Sequence, residues 1–244
     1  MTSQNTVTKS PYKRILLKLS GEALGGGTSA AVDIDKVDFI AQKIKQVYEL
    51  GIEVAVVIGA GNIWRGNMGL GRGMDRTTAD HMGMIGTVIN GIALRDALER
   101  GGLHARVQTA IQMNEVAEPY IRLRAIRHME KGRVVVLAGG TGNPYFTTDS
   151  AAALRASEIE ADIIIKATKV NGVYNDDPNK NPDAVRYDTL SYEKVLSDHL
   201  NVMDMTAFTL CQENNMPIMV VNFWEDDDLL QAVSGNNTVG TLIS

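Results

Sequence analysis

The chain has a single cysteine, Cys211, in 244 residues, so it can form no internal disulfide and reads as a protein of the reducing cytoplasm. Cysteine and histidine nowhere stand in pairs at the spacing of a zinc site. No apolar run approaches the length of a membrane span, and the opening "MTSQNTVTKSPYK" lacks the apolar centre of a signal peptide. Residues 1–10 are expected to form a flexible tail before a single domain over 11–244. A basic surplus is missing too: 24 Lys+Arg against 29 Asp+Glu leave a formal net charge of −5. That balance argues against nucleic-acid binding, so any anionic ligand must be held locally. No repeat, low-complexity segment or composition shift marks a linker. What remains, 44% hydrophobic and 22% charged, is ordinary for a folded globular chain with a substantial core.

Strand-like and helix-like segments alternate along it. "YKRILLKLS" is a β-rich run that ends in the glycine loop "GEALGGG". Val37, Ile40, Ala41, Ile44, Val47 and Tyr48 then recur at helical spacing, with Asp33 and Asp35 at the start and Gly51 just past the end. "IEVAVVI" is nearly continuously apolar, the pattern of a parallel strand covered on both faces. A long helix is expected over about 75–98, a strand near "HARVQT", a helix near "EPYIRLRAIRHME" and a strand at "RVVVLA". After these come a helix to about Ala161, the strand "DIIIKAT", a polar loop, two short helices, the strand "PIMVVN" and a last helix. The expected class is α/β, a three-layer α/β/α sandwich on a mostly parallel central sheet.

Three loops follow strands: "SGEALGGG", "GAGNIWRG" and "GGTGNPYFTTD". Each is either tight-turn chemistry or a place where backbone N–H groups approach phosphate oxygens. Three together at strand ends favour a shared ligand crevice. The familiar fingerprints fail, however. No Gly-Lys pair occurs, which removes the Walker A loop, and Trp64 and Tyr145 stand where a dinucleotide fingerprint needs its third glycine. His-Arg-Asp and Asp-Phe-Gly are absent as well. His81, His104, His128 and His199 stand with no nucleophile or metal partner and read as structural or surface groups. Lys18 is different, because an apolar strand seldom keeps a lysine without a partner.

The stretches "KRILLKLSGEAL", "VVIGAGNIWRG", "DHMGM", "GTGNPYFTTDSAA" and "KATKVNGVY" resemble the bacterial uridylate kinases of the amino-acid kinase family, colinearly from about Tyr12 to Ile243. The resemblance implies transfer of the γ-phosphoryl group of ATP to UMP, giving ADP and UDP, with Mg²⁺ accompanying ATP. It also implies a homohexamer packed through the long helix with its Met- and Gly-rich face from Met82 to Ile92, and UTP as feedback inhibitor. GTP is the expected effector of such enzymes, yet "GGGTSAAVDID" departs from the segment linked to that activation and leaves it open.

Residue by residue, the resemblance places Lys18, Leu19, Ser20, Gly21, Gly61, Arg65, Thr168, Tyr174 and Asp177 on ATP, Tyr174 offering a ring to the base. UMP falls to Ala60, Asp80, Thr141, Gly142, Asn143, Pro144, Tyr145, Phe146, Thr147 and Thr148. Within that set Asp80 accepts from the ribose hydroxyls, Thr141 and Asn143 face the uracil edge, and Tyr145 and Phe146 wall the pocket. Thr147 and Thr148 meet the UMP phosphate at a helix N-terminus. Lys18, Arg65 and Asp149 are the catalytic candidates. Asp149 falls where two anionic nucleotides meet, which requires Mg²⁺ through the nucleotide phosphates or a cationic neighbour; an ordinary charge at a helix start is the alternative. Asp204 matches a family aspartate but fits a helix cap equally and stays off the catalytic set. UMP phosphate is already an anion and needs no general base, in keeping with the lack of a catalytic histidine. Rival readings are a relative that makes acyl phosphates, opposed by "GTGNPYFTTD", and a non-catalytic nucleotide-binding protein, opposed by Lys18, Arg65 and Asp149 together.

Overall fold

The structure is a computed structural model that describes residues 10–27, 30–200, 202–225 and 227–244. Residues 1–9 of the expected tail, and Thr28 and Ser29 of the segment tied to GTP, lie outside the described residues. Ser10, counted with that tail, is half-buried and donates its hydroxyl to the carbonyl of Val233. Val233 ends a helix, and the last carbonyls of a helix have no partner within it.

Strand β1 (Arg14–Leu19) is buried throughout and runs into a 3₁₀ turn at Gly21–Leu24. Helix α1 (Ile34–Glu49) starts where the Asp33 carboxylate accepts from the amides of Asp35 and Lys36. It hands over at Gly51, which has φ +80°, to β2 (Glu53–Ile58). Then follow α2 (Gly66–Leu70), α3 (Arg76–Arg100, capped by Asp75), β3 (Ala105–Thr109), β4 (Glu118–Pro119), α4 (Arg122–Glu130) and β5 (Val134–Ala138). The second half holds α5 (Thr148–Glu158), β6 (Ile163–Thr168), β7 (Thr189–Leu190), α6 (Tyr192–Ser197), α7 (Met205–Glu213), β8 (Ile218–Asn222), α8 (Asp228–Val233) and β9 (Gly240–Ile243).

Among the described residues the strands form one nine-stranded sheet in the order β4-β3-β5-β2-β1-β6-β8-β9-β7. All neighbours run parallel except β8 and β9. Two readings of the sequence need correction. Glu118 and Pro119 pair with Gln108 and Thr109 as β4 rather than opening α4, and proline is tolerated there because β4 is the sheet's edge. The last helix is followed by β9, a four-residue strand too short to announce itself, which pairs with β8.

The alternation along β1 divides the core. Ile15, Leu17 and Leu19 face a layer with Ile40 and Ile44 of α1, Leu94 of α3 and Leu229 of α8. Leu16 faces the opposite layer, with Ala125 of α4, Ala152 of α5 and Phe208 of α7. Lys18 follows Leu16 by two, so it points to the α5 side. On β6, Ile163 and Ile165 join the first layer and Ile164 the second, which puts Lys166 on the α5 side as well. Lys18 and Lys166 are register partners in the parallel β1–β6 ladder. Two lysines thus stand side by side on one face, at the strand ends where the helix layer gives way to loops.

Candidate active site

Helix α5 begins opposite those lysines. Thr147 is its N-cap, its hydroxyl accepting from the amides of Asp149 and Ser150. The cap is therefore made without the Asp149 carboxylate, which is free to turn to the sheet. There it meets both cations: Lys18 Nζ lies 2.5 Å from Oδ1 and Lys166 Nζ 2.9 Å from Oδ2. Lys166 also donates to the carbonyl of Val202. The cationic neighbour that Asp149 required is thus a pair of lysines. Lys166 was missed in the sequence, although it carries the same signal as Lys18, a lysine inside an apolar strand.

Burial pushes the Asp149 carboxyl up, but the ammonium groups of Lys18 and then Lys166 outweigh it and hold it below the usual aspartate range. Lys166 is lowered from the usual lysine value, first by burial and further by Lys18, with Asp149 opposing. Two cations sharing one carboxylate leave positive charge in excess in a nearly dry place. A phosphoryl group is the kind of ligand that relieves it.

Asp204 caps α7 through the amide of Ala207, as a helix cap should. It also accepts from the hydroxyls of Thr147 and Ser150, with 3.0 Å from Ser150 Oγ to Oδ1. One carboxylate thereby fastens the start of α7 to the start of α5, and so fixes where Asp149 stands.

The loops after β1 and β2 touch at backbone level. A Cβ on Gly21 would lie 2.5 Å from the Gly61 nitrogen, 2.6 Å from the Gly59 oxygen and 2.7 Å from the Ala60 nitrogen. Only glycine permits that approach. Gly21→Ala is therefore expected to destabilise the chain by about 1–3 kcal/mol through overpacking and to raise KM for both nucleotides. Thermal unfolding and steady-state kinetics check this; an unchanged melting temperature with unchanged KM would remove the close approach from the argument. Ala60 has room for its methyl because the neighbour on α3 is Gly86, where a Cβ would lie 2.9 Å from the Ala60 Cβ.

A cavity of about 140 Å³ opens between the loop after β2, the loop after β5, α3 and the start of α5. Of the expected UMP residues, Ala60, Asp80, Thr141, Asn143, Phe146, Thr147 and Thr148 line it. Gly142 and Pro144 do not. Tyr145 departs furthest: expected as a wall, it is 68% exposed and turns its ring toward the Arg76 guanidinium, 5.6 Å from the ring centre. Its backbone is left-handed, φ 73°, and its amide donates to Asp80 Oδ2 at 2.8 Å. Arg76 Nε donates to the same oxygen at 2.8 Å. Asp80 therefore braces the loop as well as facing the cavity. Thr141 spends its hydroxyl on the backbone of Asn143, shaping the turn that presents the Asn143 side chain.

Two further cavities border the lysines. One of about 320 Å³ is lined by Lys18, Leu19, Ser20, Lys166 and Thr168, against Trp224. Lys166 and Thr168 also border a space of about 580 Å³ that holds Tyr174 and Asp177. Gly61 and Arg65 line a separate space of about 600 Å³ that shares Asp80, Phe146 and Thr147 with the 140 Å³ cavity. Of the expected ATP residues, Lys18, Leu19, Ser20, Thr168, Tyr174 and Asp177 line the spaces beside β6 while Gly61 and Arg65 do not, and three further qualifications apply. Gly21 serves the backbone approach rather than lining a cavity. Thr168 directs its hydroxyl to the carbonyls of Val170 and Val221. The Asp177 carboxylate accepts from the amide of Asn179 within its own loop. Among the histidines, His128 is held between Glu118 at 2.9 Å and Arg133 at 2.9 Å, a structural setting.

Paired lysines over one carboxylate, framed by loops at the ends of parallel strands, define a protein that handles phosphoryl groups. The model of the amino acid kinase family matches residues 13–222, and the chain belongs to that family. Among solved structures, it is similar to the UMP kinase from Bacillus anthracis at 42% identity and a TM-score of 0.93, covering 96% of each chain. It is similar to the UMP kinase from Ureaplasma parvum at 38% identity and a TM-score of 0.90, covering 95% of this chain and 98% of the other. The uridylate kinase from Archaeoglobus fulgidus matches at 30% identity and a TM-score of 0.73, over 94% and 99% of the two chains.

Proposed function

We propose that the chain is a UMP kinase, moving the γ-phosphoryl group of ATP to UMP in pyrimidine nucleotide synthesis. The observation that carries this reading is the register pair of Lys18 and Lys166 on Asp149, with the Asp80–Asn143 cavity on one side and the cavities around β6 on the other. A UMP phosphate oxygen attacks the γ-phosphorus, the bond to the β-bridging oxygen breaks, and ADP leaves with the displaced charge. No base is needed, so positioning and charge neutralisation supply the catalysis. Lys18 and Lys166 neutralise the transferring group, and Asp149 holds both ammonium groups in line. Arg65 offers a planar fork to phosphate oxygens, and the start of α5, with Thr147 and Thr148, receives the UMP phosphate. Tyr174 and Asp177 border the adenosine side. Asp80 serves the ribose and Asn143 the uracil edge, where an amide offers both a donor and an acceptor.

Among the described residues no group of three His, Cys, Asp or Glu side chains stands together to hold a metal. The Asp149 carboxylate is already neutralised by lysines. The donor set favours Mg²⁺ carried on the phosphates of ATP as part of the substrate. The exposed side chains of Met82, Ile85 and Ile89 on α3 support a homo-oligomer, which we assign as a hexamer. UTP as an inhibitor at the UMP cavity, a cytoplasmic setting and a single domain over 11–244 complete the proposal, with activation by GTP left open by the atypical segment after β1. No helix among the described residues is long and apolar enough to cross a membrane.

ADP release measured over a panel of nucleoside monophosphates and amino acids tests this function. UMP is expected to turn over fastest, and Asp80→Asn to raise KM for UMP more than KM for ATP. Turnover of an amino-acid carboxylate instead, or no turnover with UMP, would overturn it.

A further inference from the structure

Glu22 has no part in the transfer described above, yet it stands at its centre. It lies in the 3₁₀ turn after β1 and lines both the cavity beneath Lys18 and Lys166 and the cavity beneath Arg65. Its Oε1 is 2.6 Å from Arg65 NH2, and its Oε2 is 3.9 Å from Lys169 Nζ. The guanidinium is held from a second direction, Arg65 Nε donating to the Gly61 carbonyl at 3.3 Å. Below, the stem of Glu22 rests on Gly61, where a Cβ would lie 3.4 Å from its Cγ. A carboxylate is thus set among Lys18, Lys166, Lys169 and Arg65, the cations that an arriving polyanion meets.

The contact is built to be exchanged. Both side chains are substantially exposed, 59% for Arg65 and 42% for Glu22, and ion pairs in such settings are weak because water screens them. A phosphate carries more charge and presents oxygens that fit the guanidinium fork, so it outcompetes one carboxylate oxygen.

We propose that Glu22 is a positioning residue that acts through Arg65. As a resident counter-anion it holds the guanidinium over Gly61 while the crevice is empty and yields it to the phosphate of an arriving nucleotide. The identity of that nucleotide rests on the UMP kinase reading; the exchange itself does not. Nucleotide phosphate and Glu22 therefore compete for Arg65, and the carboxylate weakens binding in return for an ordered arginine.

Calorimetric titration of wild type, Glu22→Gln, Arg65→Ala and the double variant tests this, with UMP and, separately, inorganic pyrophosphate as a bare anion. Glu22→Gln is expected to bind each anion about two- to five-fold tighter, the range set by an exposed ion pair. In the Arg65→Ala background the same change should bring little gain. Weaker binding by Glu22→Gln would overturn the proposal, since it would make Glu22 a ligand or a structural support. An equal gain with and without Arg65 would overturn it too, reducing Glu22 to general repulsion. Wild-type chain that takes pyrophosphate but not UMP would sink the UMP reading and leave the Glu22 comparison standing on pyrophosphate; wild type that binds neither overturns both.

Discussion

Lys18→Ala is expected to fold and to lose about 10²-fold or more in kcat, with KM for UMP changed little. The fold should survive because Asp149 keeps Lys166, 2.9 Å away, so the truncation leaves no buried charge without a partner. It also removes one of two cations that share a carboxylate, which relieves the Lys166 ammonium of its neighbour's repulsion. The rate falls because a preorganised charge aimed at the transferring phosphoryl group is lost from a dry site, where water cannot replace it at no cost. Lys166 remains on the same face in the adjacent strand, so residual turnover should persist, and Lys18→Arg should not restore it, since a planar fork does not replace a compact ammonium. Steady-state kinetics with each nucleotide varied in turn, beside a melting curve, check this. Turnover near wild type in a folded Lys18→Ala protein would remove Lys18 from the chemistry.

What the sequence disclosed here follows from which interactions are local. The strands of the parallel sheet read as strands because β1, β2 and β5 are covered on both faces and carry near-continuous apolar runs. Lys18 stood out against such a run, and Lys166 broke the next one in the same way. What the sequence alone could not disclose is that the two are partners: the β1–β6 register joins residues far apart in the chain and is fixed only when the sheet forms. The reading of Asp149 as an ordinary charge at a helix start stays open in the sequence for the same reason, whereas Thr147 holds the N-cap. Lys18 and Lys166 draw the Asp149 carboxylate to the sheet. Tyr145 misled because an aromatic beside a nucleotide loop suggests a wall, whereas its left-handed backbone, fastened by Asp80, turns the ring outward. Glu22 gave no signal, since one glutamate in a glycine loop reads as a solvated charge until Arg65 is seen beside it.

Asp149→Asn is expected to lower stability and turnover together while strengthening the hold on ATP. The amide can accept from one lysine but carries no charge, so two neighbouring, largely buried ammonium groups lose the carboxylate they share and Lys166 keeps only the more distant Asp204. Removing one partner of a buried pair in this way costs about 3 kcal/mol, enough to lower the melting temperature by several degrees in a chain of this size. Because the folded pKa of Asp149 is lowered, its contribution is fully present above the ordinary aspartate range and is lost as pH falls through the lowered value. The stability difference between wild type and Asp149→Asn should therefore be constant near neutrality and shrink in acid. Turnover should fall by about 10²-fold, because the lysines lose the group that aligns them and small misplacements of catalytic groups are costly. ATP should bind tighter, since a negative charge beside its phosphates is gone and two cations are left seeking an anion. In melting curves, saturating ATP should then raise the variant's midpoint by more than it raises that of wild type. If Asp149 were only a charge at a helix start, Asn would serve nearly as well, and stability and turnover would both stay close to wild type. A variant that is destabilised but gains nothing extra from ATP would place Asp149 in the fold and not between the lysines and the nucleotide.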